Sequence, residues 1–324
     1  MHTGSPALDR RGVISFILLA YGLAWLAASP LWLSGQGLRH PLALPLITAM
    51  MFTPALATLI VTRFISRPPE GIRAATGLRL GKGRGWGWYW LFAWVGITLL
   101  VLATPFVGAL FGVYSLDLEE FSGFRATLEA AGAGAALEQV PMQMIILAQM
   151  AMLPVAPLIN ALPTFGEEWG WRGYLLPRLL PLGQWPALLI SGVVWGLWHA
   201  PVVLLGYNYP AHPSTGWLIM VGMTLVWGTL LGWTRLATGS VWPAVIAHGA
   251  INGAAGIVGI FYRAGTSVDT ALVGVTGITG WVLPLLVIAF LALTGRLPVR
   301  DAPDLAPPPA EPQAAPAPGA SESV

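Results

Sequence analysis

Cysteine is absent from this chain of 324 residues, lysine occurs once (Lys82), and charged residues make up only 9%. Without cysteine there is no disulfide and no thiolate nucleophile, and the redox compartment cannot be read from the chain. Without charge there is no ordinary soluble surface. Apolar residues reach 56% and mean hydropathy is +0.70, so the apolar blocks belong in lipid. The net charge of +2 is too small to suggest nucleic acid as a partner, and none is expected. Membrane lipid is the expected surrounding.

A membrane-crossing helix needs about 20 mostly apolar residues. Candidates run over 13–34, 42–62, 86–113, 139–163, 185–206, 216–236, 241–262 and 271–295, which predicts an all-α, polytopic protein with a membrane domain over 13–300. Residues 1–12 read as a short polar lead. Residues 301–324, rich in Pro and Ala, cannot bury a core and read as a disordered tail. Arg10-Arg11 precedes an apolar run too long for a signal-peptide core, so the first helix is expected to stay uncleaved.

Of the sixteen Lys and Arg residues, thirteen fall in segments on one side of an eight-span layout; only Arg39, Arg125 and Arg263 fall on the other. Basic residues mark the cytoplasmic side. The expectation is therefore an integral protein of a bacterial inner (cell) membrane with both termini cytoplasmic. The basic loop 63–84 reads as an anchor beside anionic headgroups, and 114–137 as an outer loop with a short interfacial helix. Gly192/Gly196, Gly228/Gly232 and Gly249/Gly253 are small-residue pairs at a spacing that lets helices approach closely in lipid.

Against this apolar background, ionisable residues inside predicted spans are costly and mark function by default. Three clusters stand out: Glu167-Glu168 with Arg172, Trp195 with His199, and His248 with Asn252. Glu168 and Arg172 are i and i+4 on a helix and can pair. Glu167 points about 100° away and is left unpaired by Arg172. Desolvation would then hold it closer to its neutral form, which suits a general base. A purely stabilising Glu–Arg pair is the plainer alternative, but it leaves Glu167 without a role. His199 shares a face with Trp195, one turn earlier. His248 and Asn252 share a face, and both can donate hydrogen bonds to a developing oxyanion; an interhelical polar clamp is the competing reading. His2, His40 and His212 are expected to be solvated.

Other intramembrane hydrolase chemistries lack their residues. There is no His-Glu-x-x-His, no Gly-x-Ser-Gly and no Gly-x-Gly-Asp, and no aspartate falls within a predicted span. Glutamate with histidine remains.

Glu167-Glu168-x-x-x-Arg172, aromatic-x-x-x-His199 and His248-x-x-x-Asn252 together resemble the CAAX prenyl endopeptidases of the Ras-converting type. That family is also known as the CPBP (CAAX protease and bacteriocin-processing) or Abi family of intramembrane proteases. The resemblance covers about residues 160–255. It implies that Glu167 and His199 activate a water for attack on a peptide carbonyl, that His248 and Asn252 hold the oxyanion, and that Glu168 and Arg172 support the site. It leaves a metal open: Glu167, His199 and His248 are candidate Zn2+ ligands, although their spacing matches no standard zinc site. One departure is Trp195, where the family usually has Phe.

These observations lead to an expected endopeptidase acting on a membrane-associated, lipidated or unlipidated, protein or peptide. Its expected setting is a cytoplasm-facing, water-filled cavity among helices four to seven. A non-proteolytic scaffold or bacteriocin self-immunity protein on the same fold is the alternative. A proton-relaying transporter would need two related halves, and no such symmetry is visible. Glu167 falls at the predicted cytoplasmic end of helix four, whereas His199 lies about 20 Å along helix five from Pro186. Helix four must therefore continue past Glu167, or helix five must begin in a re-entrant dip.

Overall fold

A computed structural model describes residues 8–81, 86–137 and 139–300. The tail 301–324, most of the N-terminal lead, and Lys82 and Arg84 of the basic loop lie outside the described residues. Among the described residues the chain is helical, with one isolated antiparallel bridge between Leu116 and Tyr262.

Five helices are long and apolar enough to cross a membrane: Arg10–Leu33, Ala43–Ile65, Trp86–Leu110, Gln184–Val203 and Gly216–Thr238. They form spans one, two, three, five and six. The other three passes are assembled from shorter pieces. Span four runs through Met142–Met152, Ala156–Ile159 and Ala161–Glu168, and then a π-helical stretch, Trp169–Leu175, into Leu176–Leu179. Span seven is Trp242–Ala254 extended by the tighter turn Ala255–Gly259, and span eight is Ile278–Leu293. The loop 114–137 carries a short helix, Ser122–Ala130.

Helix four does continue past Glu167. The pair Glu167-Glu168 looks like a span end in sequence, but both side chains are buried, and the helical path goes on to Leu182. Helix five starts at Gln184, directly after the end of that path.

All three small-residue pairs lie at close approaches. At Gly196 an added Cβ would fall 2.6 Å from the Val221 Cα, where span five meets span six. At Gly249 it would fall 2.5 Å from the Pro157 carbonyl oxygen, and at Gly253 2.5 Å from the Ala156 Cβ, where span seven meets the middle of span four. Gly228 and Gly232 face Arg172 and Leu188. In lipid, where apolar side chains gain little by leaving the solvent, such backbone proximity is a principal source of helix adhesion. These contacts bring spans four, five, six and seven together.

Side-chain bonds sort the loops onto two faces. Asp9 meets Arg178 at 3.7 Å, the Ser66 hydroxyl donates to Asp9, and Gln184 donates to the Val299 carbonyl at 2.9 Å. These contacts gather the arginine-rich segments at one end. At the other, the Trp32 indole donates to the Pro201 carbonyl at 2.8 Å, Tyr209 donates to the Thr276 carbonyl at 3.1 Å, and His212 meets Asp269 at 2.8 Å. His212 is thus a paired loop histidine rather than a freely solvated one.

Candidate active site

The site is organised around Trp195, which is buried on span five. Its indole N–H donates to a Glu167 carboxylate oxygen at 2.7 Å. Its backbone carbonyl accepts from His199 Nδ1 at 2.9 Å, one turn on. Its ring lies 4.3 Å from the Arg172 guanidinium carbon, and its centroid is 5.2 Å from that of His248, edge to face. One aromatic residue therefore touches Glu167, Arg172, His199 and His248.

Glu168 is the second centre. One of its oxygens accepts from Arg172 at 2.8 Å and from His248 Nδ1 at 3.0 Å. The expected i,i+4 Glu–Arg pair is present and completely buried. It sits where the helix widens into the π turn, a distortion frequent at functional sites. Burying such a pair is costly unless its remaining bonds are made. Here His248 and the Trp195 ring offset part of that cost, while the second Glu168 oxygen is buried without a hydrogen-bond partner; Gly228 makes the space, since an added Cβ there would fall 2.7 Å from Arg172 Nη2. The backbone carbonyl of Arg172 in turn accepts from buried Arg235 Nε at 3.0 Å.

The ring bonds fix which atoms remain for chemistry. His199 donates from Nδ1 to a carbonyl, so its neutral form presents a lone pair at Nε2. His248 is held at Nδ1 by Glu168, which leaves its Nε2. Glu167 keeps its second oxygen. All three residues line a cavity of about 490 Å³ together with Asn252, Asn160 and Tyr207. Asn252 is exposed within that cavity, on the same helix face as His248. The six residues singled out from sequence are thus brought together, with Arg172 and Glu168 behind the wall and the other four on it.

Two contributors were not singled out as site residues in the sequence. The Trp195 indole N–H takes a place that Phe could not fill; the departure to Trp was visible, but its bond to Glu167 crosses between spans and has no local signature. Tyr207 follows span five in a loop. Burial, and then the charge of Glu167, push its phenol above the ordinary tyrosine range, so it remains a hydroxyl donor facing the cavity.

The cavity does not lie where it was expected. Its lining comes from the halves of the spans remote from the arginine-rich end, and from Asn208, Thr270 and Thr276 in the loops of the opposite face. Glu167, His199 and His248 are also the residues expected as metal ligands. Among the described residues no three His, Asp or Glu side chains group closely enough to hold an ion. Glu167, His199 and His248 each bond the protein through one polar atom and keep another facing the cavity.

Residues 147–254 match the family model described as Type II CAAX prenyl endopeptidase Rce1-like. No curated protein matches the chain. The matched region begins within the first helix of span four and ends with the helix of span seven, so it encloses all six motif residues. Residues 147–254 of this polytopic, all-helical membrane protein are thus similar to the Rce1-like family of type II CAAX prenyl endopeptidases.

Proposed function

We propose that the chain is an intramembrane endopeptidase that hydrolyses a peptide bond of a membrane-associated protein or peptide by direct attack of water. The observation that carries this reading is the convergence of Glu167, His199, His248 and Asn252 on one cavity among the spans. Water held between the free Glu167 oxygen and His199 Nε2 would attack the carbonyl carbon while its proton passes to Glu167. The oxyanion would be held by Asn252 Nδ2 and, in its doubly protonated form, by His248 Nε2. Glu167 would then deliver the proton to the departing amide nitrogen, leaving a carboxylic acid and an amine, between which the remaining proton passes to give carboxylate and ammonium. Such positioned proton transfer contributes about 10²–10⁴-fold, and preorganised oxyanion donors about as much again.

Glu168 and Arg172 act through His248 and Trp195 and are positioning residues. Trp195 aims the Glu167 carboxylate. The substrate enters with its lipid or apolar anchor still in the bilayer, since the cavity wall near Leu44 and Thr48 is exposed at the flank of span two.

The test is cleavage of a panel of fluorogenic lipidated peptides by purified wild type and Glu167→Ala in detergent. Cleavage by wild type alone supports the reading. Equal cleavage by both removes Glu167 from the mechanism.

A further inference from the structure

The position of the cavity relative to the arginine-rich end restricts what the site can receive. The Glu167 carboxylate is eleven residues along span four from Arg178, about 16 Å at the helical rise. Arg178 is level with Asp9 and Ser66, at the arginine-rich face. Between that face and Glu167 the protein is solid: Trp171, Arg172, Tyr174, Leu175, Leu176 and Arg235 are all buried. On the other side of Glu167 the cavity continues past His199 and Asn252 to Asn208, Thr270 and Thr276 in the opposite loops. It is also flanked by exposed Leu44 and Thr48, near the start of span two on that same side.

The arginines fix which face is which. Arg10, Arg11, Arg63, Arg67 and Arg73 all lie exposed at the packed end, whereas among the described residues the cavity end holds Arg39, Arg125 and Arg263. Basic excess in short loops marks the cytoplasmic side. We propose that the site is served from outside the cytoplasm, and that its substrate is a polypeptide anchored in the outer leaflet with its scissile bond on the extracytoplasmic side. This rests on the protease reading above. A lipidated tail presented from the cytoplasm would meet the packed end and not the cavity. The apolar flank at Leu44 suits an anchor that stays in the outer leaflet while the peptide enters from the loop side.

The natural absence of cysteine makes the test direct. Single cysteines are introduced at Ser267 (an exposed loop of the cavity face), at Thr276 within the cavity wall, and at exposed Glu70 on the arginine-rich face. A charged, membrane-impermeant thiol reagent is applied to sealed right-side-out vesicles, then to lysed ones. Ser267→Cys and Thr276→Cys should react before lysis and Glu70→Cys only after it; the reverse pattern overturns the orientation whether or not the protein is a protease. In parallel, a fluorogenic lipidated peptide is added outside right-side-out and inside-out vesicles. Cleavage should be at least tenfold faster in the right-side-out set. Cleavage confined to inside-out vesicles, or seen only in detergent, contradicts the proposed access route. No cleavage in any preparation removes the protease reading and the substrate with it, while the labelling still decides the orientation.

Discussion

Trp195 joins two sides of the site at one residue: its indole N–H restrains the Glu167 carboxylate and its carbonyl sets the tautomer of His199. Trp195→Phe keeps a ring near Arg172 but removes the donor to Glu167. A hydrogen bond to a charged group is worth about 1.5–3 kcal/mol, so turnover is expected to fall about tenfold or more while the protein stays folded. Unchanged turnover would make the indole a packing group only. Arg172→Ala is expected to act on stability instead. It leaves Glu168 buried with one partner fewer, and breaking a buried pair costs about 3–5 kcal/mol; a drop in thermal midpoint in detergent is the readout. How much of this was legible follows from distance along the chain. Glu168 with Arg172, and His248 with Asn252, are one turn apart, and helical spacing alone puts each pair on one face. The bonds from Trp195 to Glu167 and from His248 to Glu168 cross between spans, 28 and 80 residues apart, and no local pattern announces them.

Span four, at the scale of elements, is where sequence reading falls short, because its course is set by interruptions. Residues 153–155 break the helix and the π turn at Trp169–Leu175 widens it, so no single apolar window marks its extent. The five long spans and the glycine pairs were legible because length, hydropathy and small-residue spacing are local. The close approach at Gly249 gives a prediction: Gly249→Leu would drive a side chain into the Pro157 carbonyl, separate span seven from span four, and lower both the thermal midpoint and turnover. The loop between spans three and four gives a pH prediction. The Asp117 carboxylate accepts from the Ser122 hydroxyl and backbone N–H, and from the amides of Glu120 and Glu119, which hold it well below the ordinary carboxylate range. Its folded value is depressed, so its contribution is complete above the unfolded value of about 3.9 and is lost as pH falls through the folded value. Hydrogen exchange of the segment 117–127, corrected for intrinsic rate, should stay flat from pH 6 to about 4 and rise only below that. Loss of protection already between about pH 6 and 5 would contradict it.

The described residues form a membrane domain in which buried Glu167, Glu168, Arg172, Arg235 and His248 gather where spans four, six and seven meet. Composition shows that it lives in lipid, and the arginine distribution shows which loops belong together. What composition does not carry is the end at which the cavity opens, because that depends on which halves of the spans pack solidly and which diverge. The donor set also bears on metal dependence: with no three-ligand group among the described residues, activity is expected to persist in excess chelator after dialysis. Loss on chelation and recovery with Zn2+ would show that the side chains regroup around an ion. The central claim is that Glu167 activates the attacking water. The most direct measurement is the initial rate of lipidated-peptide cleavage by wild type and Glu167→Gln, purified alike and matched for thermal midpoint. Glutamine keeps the size and an acceptor for the Trp195 N–H but cannot take the proton, so the rate should fall at least about 10²-fold with folding intact. A folded Glu167→Gln protein that cleaves at the wild-type rate would contradict the account.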